Sequence, residues 1–153
     1  MRGKLLKRLA AAVSALLLFF LLAAGDLALR AREAYAEALR QEAWRDAPSL
    51  KAAALDAEFK LKFSELEKAA AAGKLTPEQT ARSGALLEAE KDFRLRESAA
   101  KLAYVWYKSA AGDFKSPLNP WAKRAGAKLP GALAAWRAEL AAAGVKAEPW
   151  MTE

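Results

Sequence analysis

The chain has 153 residues, 25 basic and 18 acidic side chains, a formal charge of +7, and neither cysteine nor histidine. That composition excludes a disulfide framework, a thiolate metal site and a cysteine nucleophile, and it removes the commonest metal ligand and general base. Abundant Ala, Leu, Glu, Lys and Arg predict an all-α protein, and no Gly-rich phosphate loop or strand-like alternation interrupts that reading.

The first predicted element contains the uncharged run from Leu9 to Gly25, preceded by Arg2, Lys4, Lys7 and Arg8. Its 17 residues make roughly 25 Å of helix, slightly short of a hydrocarbon core. Leu5, Leu6, Leu27 and Leu29 extend the apolar length, and Lys7, Arg8 and Arg30 can snorkel to the headgroups. Two readings fit: a retained transmembrane anchor, or a signal peptide cleaved after Ala23-Ala24-Gly25. Either one exports residues 26–153, with the basic flank keeping the N-terminus cytoplasmic. Because the flank holds four of the basic residues, the exported part carries 21 against 18 acids, a net of only +3.

From Asp26 to Arg45 the pattern stays helical, with Ala28, Ala31, Tyr35 and Ala38/Leu39 forming a narrow small-residue stripe. Pro48 ends this helix, and Asp46 or Ser49 is expected to cap the next one. Leu50 to Ala72 reads as a second helix whose apolar face is Leu55, Phe59, Phe63 and Leu66, closed by Gly73. Thr76-Pro77-Glu78-Gln79 has the form of an N-cap, a first-turn proline and a capping box. A third helix is predicted from there to about Ala111, with Leu86, Phe93, Leu95, Leu102, Val105 and Trp106 on its apolar side. Phe59, Phe63, Leu86, Phe93 and Leu102 are the expected core.

Asp56–Lys60, Glu58–Lys62, Glu90–Arg94, Asp92–Arg96 and Glu97–Lys101 are acid-first pairs four residues apart, as on exposed helix faces. Gly112 to Pro120 reads as a loop. Asn119-Pro120 should open a short helix at Trp121, Pro130-Gly131 should interrupt it, and a last helix should end near Gly144. The tail from Val145 to Glu153, with Pro149, Trp150 and Met151, carries no assignment.

These lengths predict an N-terminal transmembrane or signal helix over 1–25, then an elongated up-down-up three-helix bundle over 26–112. A loop, short helices and a tail over 113–153 follow. Counting helix lengths back from the Gly73 turn carries Tyr104, Trp106 and Tyr107 past the second helix toward Trp44. The C-terminal helices add Trp121 and Trp136, giving an expected aromatic cluster at the end far from the membrane.

No constellation points to catalysis. The carboxylates Glu65, Glu67, Glu88, Glu90, Asp92 and Glu97 lack the Glu-x-x-His pattern of a di-metal bundle and mostly have basic helical neighbours. Ser83, Ser98 and Ser109 lie outside any nucleophile elbow. Lys108, Lys115, Lys123, Arg124, Lys128 and Arg137, interleaved with tryptophans, form a basic segment over 108–137. Such a segment suits packing, an anionic surface or, less readily in an exported chain, nucleic acid.

The resulting expectation is a non-enzymatic, membrane-anchored helical protein of the cell envelope with no cofactor and no metal. Its partners would be the membrane and another protein, or a second copy of itself. The alternatives are a cleaved periplasmic or secreted binding protein and a tethered binder of anionic polymer or nucleic acid. The candidate contact residues are Trp44, Tyr104, Trp106, Tyr107, Trp121, Lys123, Arg124 and Trp136.

Overall fold

A computed structural model describes residues 2–115 and 119–148. Ser116, Pro117 and Leu118 of the expected loop and the tail from Pro149 to Glu153 lie outside the described residues, as do the side chains of Arg2, Lys4, Leu5, Leu6 and Lys7. The described residues form five helices and no strand: α1 Arg2–Asp46, α2 Pro48–Ala71, α3 Pro77–Arg96, α4 Ala99–Ala111 and α5 Pro120–Ala142. The protein is therefore all-α, and its first helix is long and apolar enough to cross a membrane or to act as a signal sequence.

The expected up-down-up bundle over 26–112 is not confirmed. The chain instead divides into two compact units. The first joins the residues up to Arg40 with those from Ala100 onward, and the second comprises Gln41–Ala99.

The first unit is built on the small-residue stripe of α1. Ala34 and Ala38 bury against Ala100, Tyr104, Tyr107 and Ala110 of α4 and against Ala125, Ala132 and Trp136 of α5. Alanines on one helix let the large rings of the others approach its backbone closely, so aromatic side chains supply most of the buried area. Helix α5 contradicts the expected break at Pro130-Gly131, since it continues through Pro130. An interior proline removes one helical hydrogen bond. Here Ala125 and Leu129 on one side of it, and Ala132, Leu133 and Trp136 on the other, pack on the same core, which holds both halves in one helix.

The second unit is centred on the α2–α3 pair. Its local signals behave as their chemistry requires. The Thr76 hydroxyl accepts from Gln79 N–H at 3.2 Å while Thr76 N–H donates to Gln79 Oε1 at 2.9 Å, which completes the capping box. Gly73 has φ +69°. Its N–H donates to Ala70 O, and Lys74 N–H donates to Ala69 O, a Schellman ending that requires a left-handed residue. Gly144 ends α5 in the same way.

Neither Asp46 nor Ser49 caps α2. The cap position is Ala47, without a side-chain hydrogen bond, and Pro48 opens the helix; the Asp46 carboxylate pairs with Arg45.

The predicted third helix is also corrected, because it stops at Arg96 and restarts at Ala99. Glu97 is extended, and buried Lys51 turns its ammonium group onto the backbone carbonyls of Leu95 and Glu97. A cation there satisfies acceptors that the break leaves outside the helical ladder.

Of the expected core residues in this unit, Phe59 is fully buried and Phe63 half-buried, but Leu86 and Phe93 are 63% and 64% exposed; Leu55, on the expected apolar face of α2, is also fully buried. Ion pairs join α3 to α2, with Lys91 on Asp56 at 2.6 Å and Arg94 on Glu58. Leu102, placed in the same core from sequence, is half-buried on α4 in the first unit.

Candidate functional site

Most of the predicted contact residues gather in the first unit. On α4 the buried positions Ala100, Ala103, Tyr104, Tyr107 and Ala110 recur every three to four residues. Tyr104 stacks on Trp136 of α5, ring centroids 5.4 Å apart at 27°. Tyr107 meets Tyr35 of α1 at 5.7 Å, and Tyr35 in turn meets Trp121 of α5 at 5.7 Å. Tyr35, which sequence reasoning left in the alanine stripe, is thus the link between two rings assigned to the cluster. Its position among small residues was the available signal, because such a stripe invites aromatics from neighbouring helices. Trp44 is buried in the second unit, apart from this assignment.

The Trp121 side of the cluster is held by the cap of α5. Asn119, the N-cap of α5, accepts from Trp121 N–H at 3.1 Å and Ala122 N–H at 3.4 Å. Its amide donates to Phe114 O at 3.0 Å and to Leu27 O at 3.3 Å. The start of α5 is therefore fastened to α1 at Leu27, two residues beyond Gly25. The helix count from the Gly73 turn assumed a third helix unbroken at residues 97 and 98, where α3 and α4 are separate.

Two guanidinium groups converge on the half-buried Trp121. Arg124 lies 4.7 Å and Arg32 6.0 Å from the indole centroid, and Lys123 beside them is exposed. Within the same unit Arg30, Glu33, Ala34, Glu37, Arg40, Trp106 and Phe114 line an open groove of about 450 Å³. Trp106 is 38% exposed there.

In the second unit Glu58 accepts from Arg94, and Lys62 bridges Glu58 at 3.1 Å and Glu90 at 2.9 Å. The Arg94 hydrogen bond holds the Glu58 carboxyl below its usual range, and the two carboxylates, Glu90 foremost, push the Lys62 ammonium upward. Lys62 and Arg94 also cover the ring of Phe59, at 4.4 and 5.7 Å. Of the expected helical pairs Glu58–Lys62 forms, Glu90–Arg94 and Asp92–Arg96 are long at 4.0 and 3.9 Å, and Asp56 turns to Lys91 instead of Lys60. Among the described residues no group of three or more acidic side chains is placed to hold a metal ion.

Comparison of the chain with protein-family models, with curated proteins and with solved structures returned no match. What defines the molecule is its own geometry: an all-helical chain whose long apolar N-terminal helix continues into a folded unit.

Proposed function

We propose that this is a single-pass, non-catalytic membrane protein with a cytoplasmic N-terminus, which holds residues 26–153 outside the cytoplasm for a protein partner. One observation carries the reading. From Leu9 to Leu22 the large apolar side chains of α1 are 49–70% exposed, and the same unbroken helix supplies Ala34 and Ala38 to the core of the first unit. An apolar surface of that extent needs lipid around it, and a helix running directly into a packed core makes a stiff stalk. A cut before Asp26 would fall inside this helix. The partner-binding part of the proposal rests on Trp106, a large exposed aromatic beside Phe114 in an open groove, the kind of residue that anchors interfaces.

Topology is tested by a cytoplasm-only reporter fused after Glu153, together with alkaline carbonate extraction of native membranes. An inactive reporter and a chain that stays in the pellet are expected. An active reporter or a released chain would contradict the anchored, exported reading. A photo-crosslinking residue in place of Trp106 should form a discrete adduct that the same residue at exposed Lys60 does not; identical adduct patterns at both positions would contradict the groove assignment.

A further inference from the structure

We propose that Arg32, Trp121, Lys123 and Arg124 form a binding site for anionic phospholipid headgroups, which seats the first unit on the membrane that α1 crosses. The inference rests on the anchored reading and adds the ligand of a site that this reading leaves unassigned.

Position comes first. Asn119 ties the start of α5 to the Leu27 carbonyl, so the indole that follows is fixed near the end of the apolar run. Arg32 lies three residues beyond Leu29, about 5 Å along the helix axis. The headgroup layer is about 5–8 Å thick on each side of the hydrocarbon. Trp121 is therefore held at the depth where tryptophans concentrate in membrane proteins.

Charge comes second. Arg30, Arg40, Arg45 and Arg94 each pair with a carboxylate within 4 Å. Among the described residues Arg32, Lys123 and Arg124 have no such partner. The nearby Asp26 is taken by Arg30 at 2.7 Å. Two guanidinium groups and the Lys123 ammonium, none with a carboxylate partner among the described residues, gather positive charge around one indole. The indole orients the guanidinium groups through cation–π contact, leaving N–H groups able to fork onto the oxygens of a phosphodiester. A lipid phosphate at this depth supplies both the charge and the apolar chain that an indole in the interface favours.

The test uses the full chain reconstituted into phosphatidylcholine vesicles with and without phosphatidylglycerol, with a nitroxide quencher on the lipid headgroup. The fluorescence of Trp121 is taken as the difference between the native chain and Trp121→Phe. Headgroup quenching of Trp121 should rise with phosphatidylglycerol and fall in about 1 M salt, where screening shortens to about 3 Å. Removing charge with Lys123→Gln or Arg124→Gln should lower the seated-to-unseated ratio about five-fold for each residue. Both side chains are exposed, so circular dichroism should report an unchanged fold. Quenching that ignores phosphatidylglycerol, or survives the double variant, would overturn the site, as would its abolition by millimolar inorganic phosphate, which would assign the site to free anions. Should an alkaline wash release the chain from the vesicles, the anchored reading fails, while the quenching still decides the headgroup site.

Discussion

Asn119 makes four side-chain hydrogen bonds, two as the cap of α5 and two from its amide to the carbonyls of Phe114 and Leu27. The residue is buried, so its loss strands groups that water reaches poorly. Asn119→Ala should destabilise the full chain in detergent by about 1–3 kcal/mol, read from thermal unfolding. Asn119→Asp keeps the capping oxygen but turns a carboxylate toward two carbonyls, and should not restore the native midpoint. Full rescue by Asp would reduce the residue to a simple cap. The cap itself was legible in Asn119-Pro120; the bond to Leu27 was not, because it joins positions 92 residues apart. Phe59 and Phe93 make a similar contrast. Both fit an apolar helical spacing, yet one is buried and the other 64% exposed. Phe59→Ala should cost about 3–5 kcal/mol and Phe93→Ala about 0.5 kcal/mol or less, measured by urea unfolding of the full chain. Equal losses would contradict the outward face of Phe93. Periodicity names a stripe but not how it turns to the neighbour; here Lys91 and Arg94 of α3 reach Asp56 and Glu58 of α2 while Phe93 stays exposed.

At the scale of elements, helix ends were the most readable features, since Thr76, Gly73, Asn119 and Gly144 act through backbone chemistry within a few residues. The break at residues 97 and 98 was hidden because Lys51, a distant residue, supplies the cation that satisfies it. The continuity of α5 was hidden because proline normally ends a helix and only tertiary packing overrules it. Pro130→Ala should therefore raise stability, by about 1–2 kcal/mol after allowing for the freer unfolded chain; a fall in the urea midpoint would contradict the packing account. The ion cluster between α2 and α3 sets a pH dependence. Glu58 has a lowered pKa, so its contribution is present above the unfolded Glu value of about 4.3 and is lost as pH falls through the lower folded value. Lys62 has a raised pKa, so its contribution is present below the unfolded Lys value of about 10.4 and is lost as pH climbs past the folded one. Unfolding midpoints measured against pH should show a shallow plateau between these limits, and Glu58→Gln should flatten its acid edge. The effect is small, because these side chains are substantially exposed. An unchanged acid edge in the variant would assign the acid sensitivity to other carboxylates.

At the scale of the whole molecule, composition and the apolar run were enough to predict an all-helical chain with one long apolar N-terminal helix. The partition into two units was not legible, because alanine-rich faces carry little information about which helix packs on which. Of the expected aromatic residues, Tyr104 meets Trp136, and Tyr107 and Trp121 both meet Tyr35, while Trp44 lies in the second unit and Trp106 lines the groove. The central claim is that α1 is kept whole, as one helix that both spans the membrane and enters the first unit. The most direct measurement is the intact mass of the protein recovered from native membranes. The account predicts the full chain of 16.5 kDa in the membrane fraction, and a soluble species beginning at Asp26 would contradict it.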